Sequence, residues 1–285
     1  QKKETMQFLR LGPMGQEIPV ALWQGQYFDL RAVTADIDGA FWSAQGAERV
    51  ARALQRGELA LVHDAQALRV GAPVARPQAL LCIGLNYAAH AAESGMPAPQ
   101  QPVLFFKHPN TLVGPNDAVA VPPGAARMDW EVELAVVIGQ RASYLPSVAA
   151  ARAHIAGYCV ANDLSERRFQ LERSGSQWGK GKSLPGFCPL GPMLVTPDEV
   201  SPENLRIRSW VNGEARQDSS TRDMIFSVDQ IVHDLSQYLV LEPGDVILTG
   251  TPEGVAMSGR FPYLQAGDVV ELEVEGLGRQ RQQLT

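Results

Sequence analysis

The segment Asp129-Trp130-Glu131-Val132-Glu133-Leu134-Ala135-Val136-Val137-Ile138-Gly139 opens on acid and runs into apolar residues. Its period-two head and its richness in valine and isoleucine predict a β-strand. Residues i and i+2 of a strand share a face at roughly 6.5 Å spacing. Glu131 and Glu133 therefore stand together, followed on that face by Ala135 and Val137. Two like charges at the mouth of a buried face repel each other and lose hydration, and a divalent cation relieves both effects. The alternative is a pair of solvent-facing glutamates on an edge strand. Asp163, closing the apolar stretch 157–163, is a third carboxylate, and hard cations such as Mg2+ and Mn2+ take oxygen ligands. Asp163 and Glu166 also have the spacing of an N-cap and its capping-box partner at the head of 164–173, a helical-looking run. The two roles are compatible.

His90 and Glu93 follow the apolar stretch 80–83 in an alanine-rich segment that favours a short helix. At i and i+3 they share a helical face. A carboxylate on one imidazole nitrogen raises the basicity of the other, which suits a general base acting on water. The plainer reading is a surface histidine with a helix ion pair. The flank ending in Gly95 and Met96-Pro97 suits a mobile lid. Lys180 and Lys182 sit among glycines, but the spacing of a phosphate-binding P-loop is missing. A flexible cationic loop for an anionic substrate is the better reading. The turn Thr249-Gly250-Thr251-Pro252-Glu253-Gly254 offers hydroxyls and backbone N–H groups to a carboxylate, and is equally an ordinary loop.

The elements that must carry these groups follow from composition and punctuation. With 285 residues, 45% of them hydrophobic and 20% charged, the chain is an ordinary globular protein of one or two domains. A net charge of −6 without a basic stripe argues against nucleic acid as a partner. No apolar run is long enough to span a membrane. Residues 1–5 lack the apolar core of a signal peptide and read as an expression leftover ahead of Met6. Cys82, Cys159 and Cys188 form neither a metal pattern nor a disulfide framework, so they read as buried thiols of a cytoplasmic protein. Residues 6–70 predict a small α+β unit, with two strands in 17–30 and a helix over 43–56. Prolines at 73 and 77 mark 71–77 as a linker. From residue 80 onward the chain is rich in strands, with a hairpin at Asn212-Gly213 and a capping box at Ser227–Gln230. Residues 241–248 and 264–271 repeat one turn-then-strand pattern. A strand-dominated core with few helices predicts an α+β fold.

Taken together, Gly84-Leu85-Asn86-Tyr87 with His90 and Glu93, Trp130 to Gly139, and Asn162-Asp163 with Ser165, Arg167 and Gln170 resemble the fumarylacetoacetate hydrolase superfamily. Lys182-Ser183 and Thr249-Gly250-Thr251-Pro252 with Gly254-Val255 complete the set in the family's order. The likeness is strongest to the bacterial branch acting on 2,4-diketo-3-deoxy sugar acids and to acylpyruvases. It implies a mixed β-roll core over 76–285, with a small N-terminal domain over 1–75 and a homodimeric assembly. It implies Mg2+ or Mn2+ on Glu131, Glu133 and Asp163, and His90 and Glu93 on a lid, with Lys182 as a further catalytic group. Arg167, Gln170, Thr251 and Tyr87 would contact a small anionic 2-oxo acid. Asn86 and Tyr87 occupy the neighbourhood where the longer eukaryotic members add an aspartate ligand, which implies three protein ligands here. Gly179 stands where the close branch often has an aspartate, within the presumed substrate loop. The implied activity is metal-dependent hydrolysis of a C–C bond in a 2,4-dioxo acid. The same site could instead serve a decarboxylase, isomerase, dehydratase or lyase.

Overall fold

The computed structural model describes residues 5–285, so residues 1–4 of the suspected leftover lie outside the described residues. The strands, in chain order, are β1 (Met6–Leu11), β2 (Ile18–Trp23), β3 (Gln26–Asp29), β4 (Leu80–Gly84), β5 (Val103–Lys107), β6 (Leu112–Val113), β7 (Met128–Asp129), β8 (Val132–Ile138) and β9 (Ile155–Asn162). They continue as β10 (Ser165–Glu166), β11 (Cys188–Pro189), β12 (Leu194–Val195), β13 (Arg206–Val211), β14 (Glu214–Ser220), β15 (Val246–Leu248), β16 (Val269–Val274) and β17 (Arg279–Gln283). Nine of them form one mixed sheet in the order β3-β2-β1-β12-β9-β8-β15-β4-β5, and β14-β13-β16-β17 form a second sheet of four.

β8 explains why the two sheets pack as they do. Its even residues Val132, Leu134, Val136 and Ile138 enter a core shared with β13, β16 and the helix α5 (Val228–Ser236). Its odd residues Ala135 and Val137 enter a second core, reached by Phe8, Phe41, Trp42 and Val50 from the first part of the chain. A strand buried on both faces reads as a continuous apolar run, and only its head is acidic. The α+β class is borne out.

Local differences from the sequence expectations have local causes. The helix expected over 43–56 is two helices, α1 (Gly39–Ser43) and α2 (Gly46–Gln55). Asp38 caps α1 by accepting from Phe41 N at 3.0 Å, and Gln45 breaks the chain with φ of 56°. A Cβ on Gly46 would collide with the Phe41 ring, so the tight junction requires glycine. Residues 71–77 are packed chain: Ala72, Val74 and Ala75 are buried, and Ala75 N donates to Ile37 O at 2.7 Å. The helix expected over 164–173 starts three residues later and is helical over 167–173. β10 pairs with β7, and a short π-helical turn follows at Phe169–Arg173. The hairpin at Asn212-Gly213 is present, both residues having positive φ, as is the capping box of α5. The three cysteines are buried free thiols. Among the described residues no helix is long and apolar enough to cross a membrane.

Candidate metal centre and its cavity

Antiparallel pairing of β8 with β9 sets Val132 opposite Asn162, so the residues just beyond that pair meet. Asp163 N donates to Glu131 O at 3.0 Å. This register brings Asp163 to the two glutamates from a distant part of the chain. One carboxylate oxygen of each residue lies within 4.8 Å of the others, and all three residues are buried. Asp163 is therefore not an N-cap. Its carboxylate accepts from Lys107 Nζ at 2.6 Å and Lys182 Nζ at 2.9 Å. Glu166 takes over the capping work, accepting from Arg168 N at 2.7 Å and Phe169 N at 3.3 Å.

Two cations reach Glu131, one of them the same Lys182. Arg167 Nη2 donates to Glu131 Oε1 at 2.7 Å, and Lys182 Nζ donates to Glu131 Oε2 at 3.2 Å. Burial opposes ionisation of Glu131, but the charges of Lys182 and Arg167 outweigh it and hold the carboxyl below the usual range. Lys182 ends the short helix α4 (Trp178–Lys182) and is buried, which corrects the expectation of a flexible cationic loop. Glu133 is different. Among the described residues its carboxylate has one hydrogen bond, from Gly250 N at 3.4 Å. Burial, reinforced by Asp163 and Glu131, pushes its carboxyl well up.

The donor set fits a hard divalent cation. Every donor is a carboxylate oxygen, the three converge, and Glu133 is left without a cation of its own.

His90 and Glu93 lie on α3 (Ala88–Glu93), with His90 Nδ1 and Glu93 Oε1 2.9 Å apart. A carboxylate only accepts, so Nδ1 carries the proton and Nε2 is left free. Glu93 is anchored from the opposite side by Gly254 N at 3.2 Å and Arg260 Nη2 at 3.2 Å. Burial raises the Glu93 carboxyl, but His90, the Gly254 N–H and Arg260 together bring it below its ordinary value.

A cavity of about 350 Å³ connects these groups: His90, Glu131, Glu133, Arg167, Gln170, Lys182 and Thr251 all line it. Thr251 Oγ1 donates to Val132 O at 2.8 Å, so the turn after β15 is stitched to the head of β8. Tyr87 is placed otherwise. It is fully buried and outside the cavity lining, and its hydroxyl has no hydrogen-bond partner among the described residues.

The sequence reading passed over Lys107 and Asp129. Lys107 closes the apolar strand β5, and a lysine there signals a buried partner. Asp129 accepts from Arg167 Nε at 2.9 Å, Ala256 N at 2.9 Å and Met257 N at 3.0 Å, tying the arginine to the loop after Thr251. Its place beside Trp130 and Glu131 was visible, but its partners are far along the chain.

A mixed sheet that gathers three buried carboxylates beside an imidazole–carboxylate pair defines a class of enzyme with an acidic centre. Residues 79–285 match the fumarylacetoacetate (FAA) hydrolase C-terminal family, and the chain belongs to that family, as its motifs led us to expect. A Burkholderia multivorans protein named only as a candidate hydrolase is 48% identical over 282 residues, which cover 97% of this chain and 98% of that protein. The solved fumarylacetoacetate hydrolase of psychrophilic Exiguobacterium antarcticum is 32% identical with a TM-score of 0.84, covering 99% of each chain. A 2-hydroxyhepta-2,4-diene-1,7-dioate isomerase from Mycobacterium marinum is 29% identical with a TM-score of 0.75, covering 99% of this chain and 98% of its own.

Proposed function

We propose that this enzyme hydrolyses the C3–C4 bond of a 2,4-dioxo acid, an acylpyruvate or a diketo-deoxy sugar acid, to pyruvate and a carboxylic acid. The observation that carries the reading is His90, held by Glu93, facing the same cavity as Glu131 and Glu133. Glu131, Glu133 and Asp163 would hold Mg2+ or Mn2+, which would supply Lewis-acid stabilisation of negative charge developing on a bound 2-oxo acid. His90, fixed through Nδ1 on Glu93, takes a proton from water at Nε2 as that water adds to the C4 carbonyl. The C3–C4 bond then breaks, and its electron pair passes to C3 and the 2-oxo group. Protonation at C3 gives pyruvate, and C4 leaves as the new carboxylic acid. Lys182 and Thr251, both in the cavity wall, would meet developing oxyanion charge, where one donor is typically worth about 3 kcal/mol. We further propose a homodimer acting in the cytoplasm on small anionic substrates. Sedimentation equilibrium should then give about twice the chain mass of 30.9 kDa.

The Mycobacterium marinum isomerase favours a second reading, in which the same centre moves a proton without adding water. Product analysis in 18O-water separates the two, since only hydrolysis places solvent oxygen in an acid product. His90→Ala should slow hydrolysis by roughly 10² to 10⁴. Oxaloacetate decarboxylation, which needs no attacking water, should suffer far less. Equal losses in both reactions would remove His90 from the role of base.

A further inference from the structure

The cavity is charged at one end only. Arg167 and Lys182 are the arginine and lysine in its lining, and both are held at that end by carboxylates. Arg167 is bound to Asp129, Glu131 and Gln170, and Lys182 to Glu131 and Asp163. From Lys182 the wall turns apolar: its Nζ lies 4.9 Å from the centroid of Phe105, whose ring packs edge-on against Trp178 at 5.6 Å. Trp178 and Lys182 are i and i+4 on α4, so the indole stands one turn from the ammonium on the same face. Gly84 lets the indole sit there, because a Cβ at that position would fall 2.8 Å from Trp178 Cζ3. Leu171, Met96 and Met257 also line the cavity, and Leu171 and Met96 remain 38% and 52% exposed.

Polar groups are scarce away from the acidic end. The lining hydroxyls are two: Thr251, already bonded to Val132 O and Gln217 Nε2, and Ser94, whose Oγ has no partner among the described residues and could meet one hydroxyl of a ligand. A second carboxylate on the substrate would lose its hydration there without gaining a counter-ion, and a polyol would lose most of its hydrogen bonds. Flexible methionines in the same lining instead accommodate apolar groups of varied shape.

Resting on the reading of this site as one for 2,4-dioxo acids, we propose that the group beyond C4 is apolar. The preferred substrates are acylpyruvates with an alkyl or aryl acyl chain, ahead of diketo sugar acids and of dioxo acids bearing a second carboxylate. Phe105, Trp178, Leu171, Met96 and Met257 set that preference.

The test compares kcat/KM of the metal-loaded enzyme on acylpyruvates whose acyl substituent is methyl, n-butyl, phenyl, carboxyethyl or trihydroxypropyl. Burial of each methylene is worth up to about fourfold, so n-butyl should exceed methyl at least tenfold, and carboxyethyl should fall at least tenfold below n-butyl. Trp178→Ala should reduce the phenyl substrate more than the methyl one. Leu171→Lys, at a half-exposed position, should raise the carboxyethyl substrate about tenfold relative to n-butyl. A preference for the carboxyethyl or trihydroxypropyl compound overturns the proposal while leaving C–C hydrolysis standing. If none of the five is cleaved, the hydrolase reading fails, and binding still decides the apolar wall. Calorimetry with Mg2+ should then show 2-oxo-4-phenylbutanoate binding at least tenfold more tightly than 2-oxoadipate. Equal or reversed affinities overturn the proposal.

Discussion

Glu131, Glu133 and Asp163 differ in how their charges are compensated. Glu131 has Arg167 and Lys182, and Asp163 has Lys107 and Lys182, whereas Glu133 has a long bond from Gly250 N. Because its folded-state carboxyl is pushed above the ordinary 4.5, its contribution to stability is fully present below that pH and is lost as pH rises. Glu133→Gln should therefore make the metal-free protein's melting temperature fall less steeply above about pH 4.5, and it should erase the stabilisation that Mg2+ or Mn2+ gives the native protein. Asp163→Asn should act in the opposite sense, removing the negative charge that compensates buried Lys107 and Lys182 and costing about 3 kcal/mol or more in the metal-free state. Calorimetry with chelator and with added metal checks both. Equal destabilisation by the two variants would contradict this account of the charges.

At the level of elements, the repeated pattern at 241–248 and 264–271 has a specific cause. In each copy a glycine with positive φ precedes an aspartate whose carboxylate accepts the backbone N–H three residues back: Asp245 from Glu242 N and Asp268 from Gln265 N, both at 2.9 Å. Gly114–Asp117 makes the same closure at 2.7 Å without the matching sequence. The first turn starts β15 and also accepts from Ala79 N at 3.1 Å, so it holds β4 in parallel register with β15. Asp245 is buried and Asp268 only partly so. Asp245→Ala should cost about 1–3 kcal/mol, because buried N–H groups lose their acceptor, and Asp268→Ala less. The order of urea midpoints tests this, and a reversed order would rule it out.

Over the whole molecule, the strands of residues 6–29 are continuous with the catalytic sheet: β1 pairs with β12, which pairs with β9. Phe8, Phe41 and Trp42 share a core with Ala135, Val137 and Ala156. We propose residues 1–75 as a separate unit of sequence that nevertheless completes the fold of the remainder. A chain of residues 76–285 would expose the β12 edge and the face those aromatics cover. Such a chain should aggregate or melt without a cooperative transition. A cooperative melt close to that of the full chain would show that the remainder folds alone.

Sequence by itself determined what depends on near neighbours. Strand periodicity put Glu131 and Glu133 on one face, and helical spacing put His90 against Glu93, because i+2 and i+3 geometry is set by the backbone alone. Their order along the chain was enough to indicate the family. Register was beyond it. Asp163 met the glutamates because β9 runs antiparallel to β8, and the same local pattern had fitted a helix cap equally well. The expected helix begins only after β10, since pairing of Ser165 and Glu166 with β7 outweighs local propensity in a buried segment. Lys107, Asp129 and the buried state of Lys182 also lay beyond local patterns. Each is defined by partners at long separation, and a charge is held in a protein interior only where the fold brings its counter-charge to it.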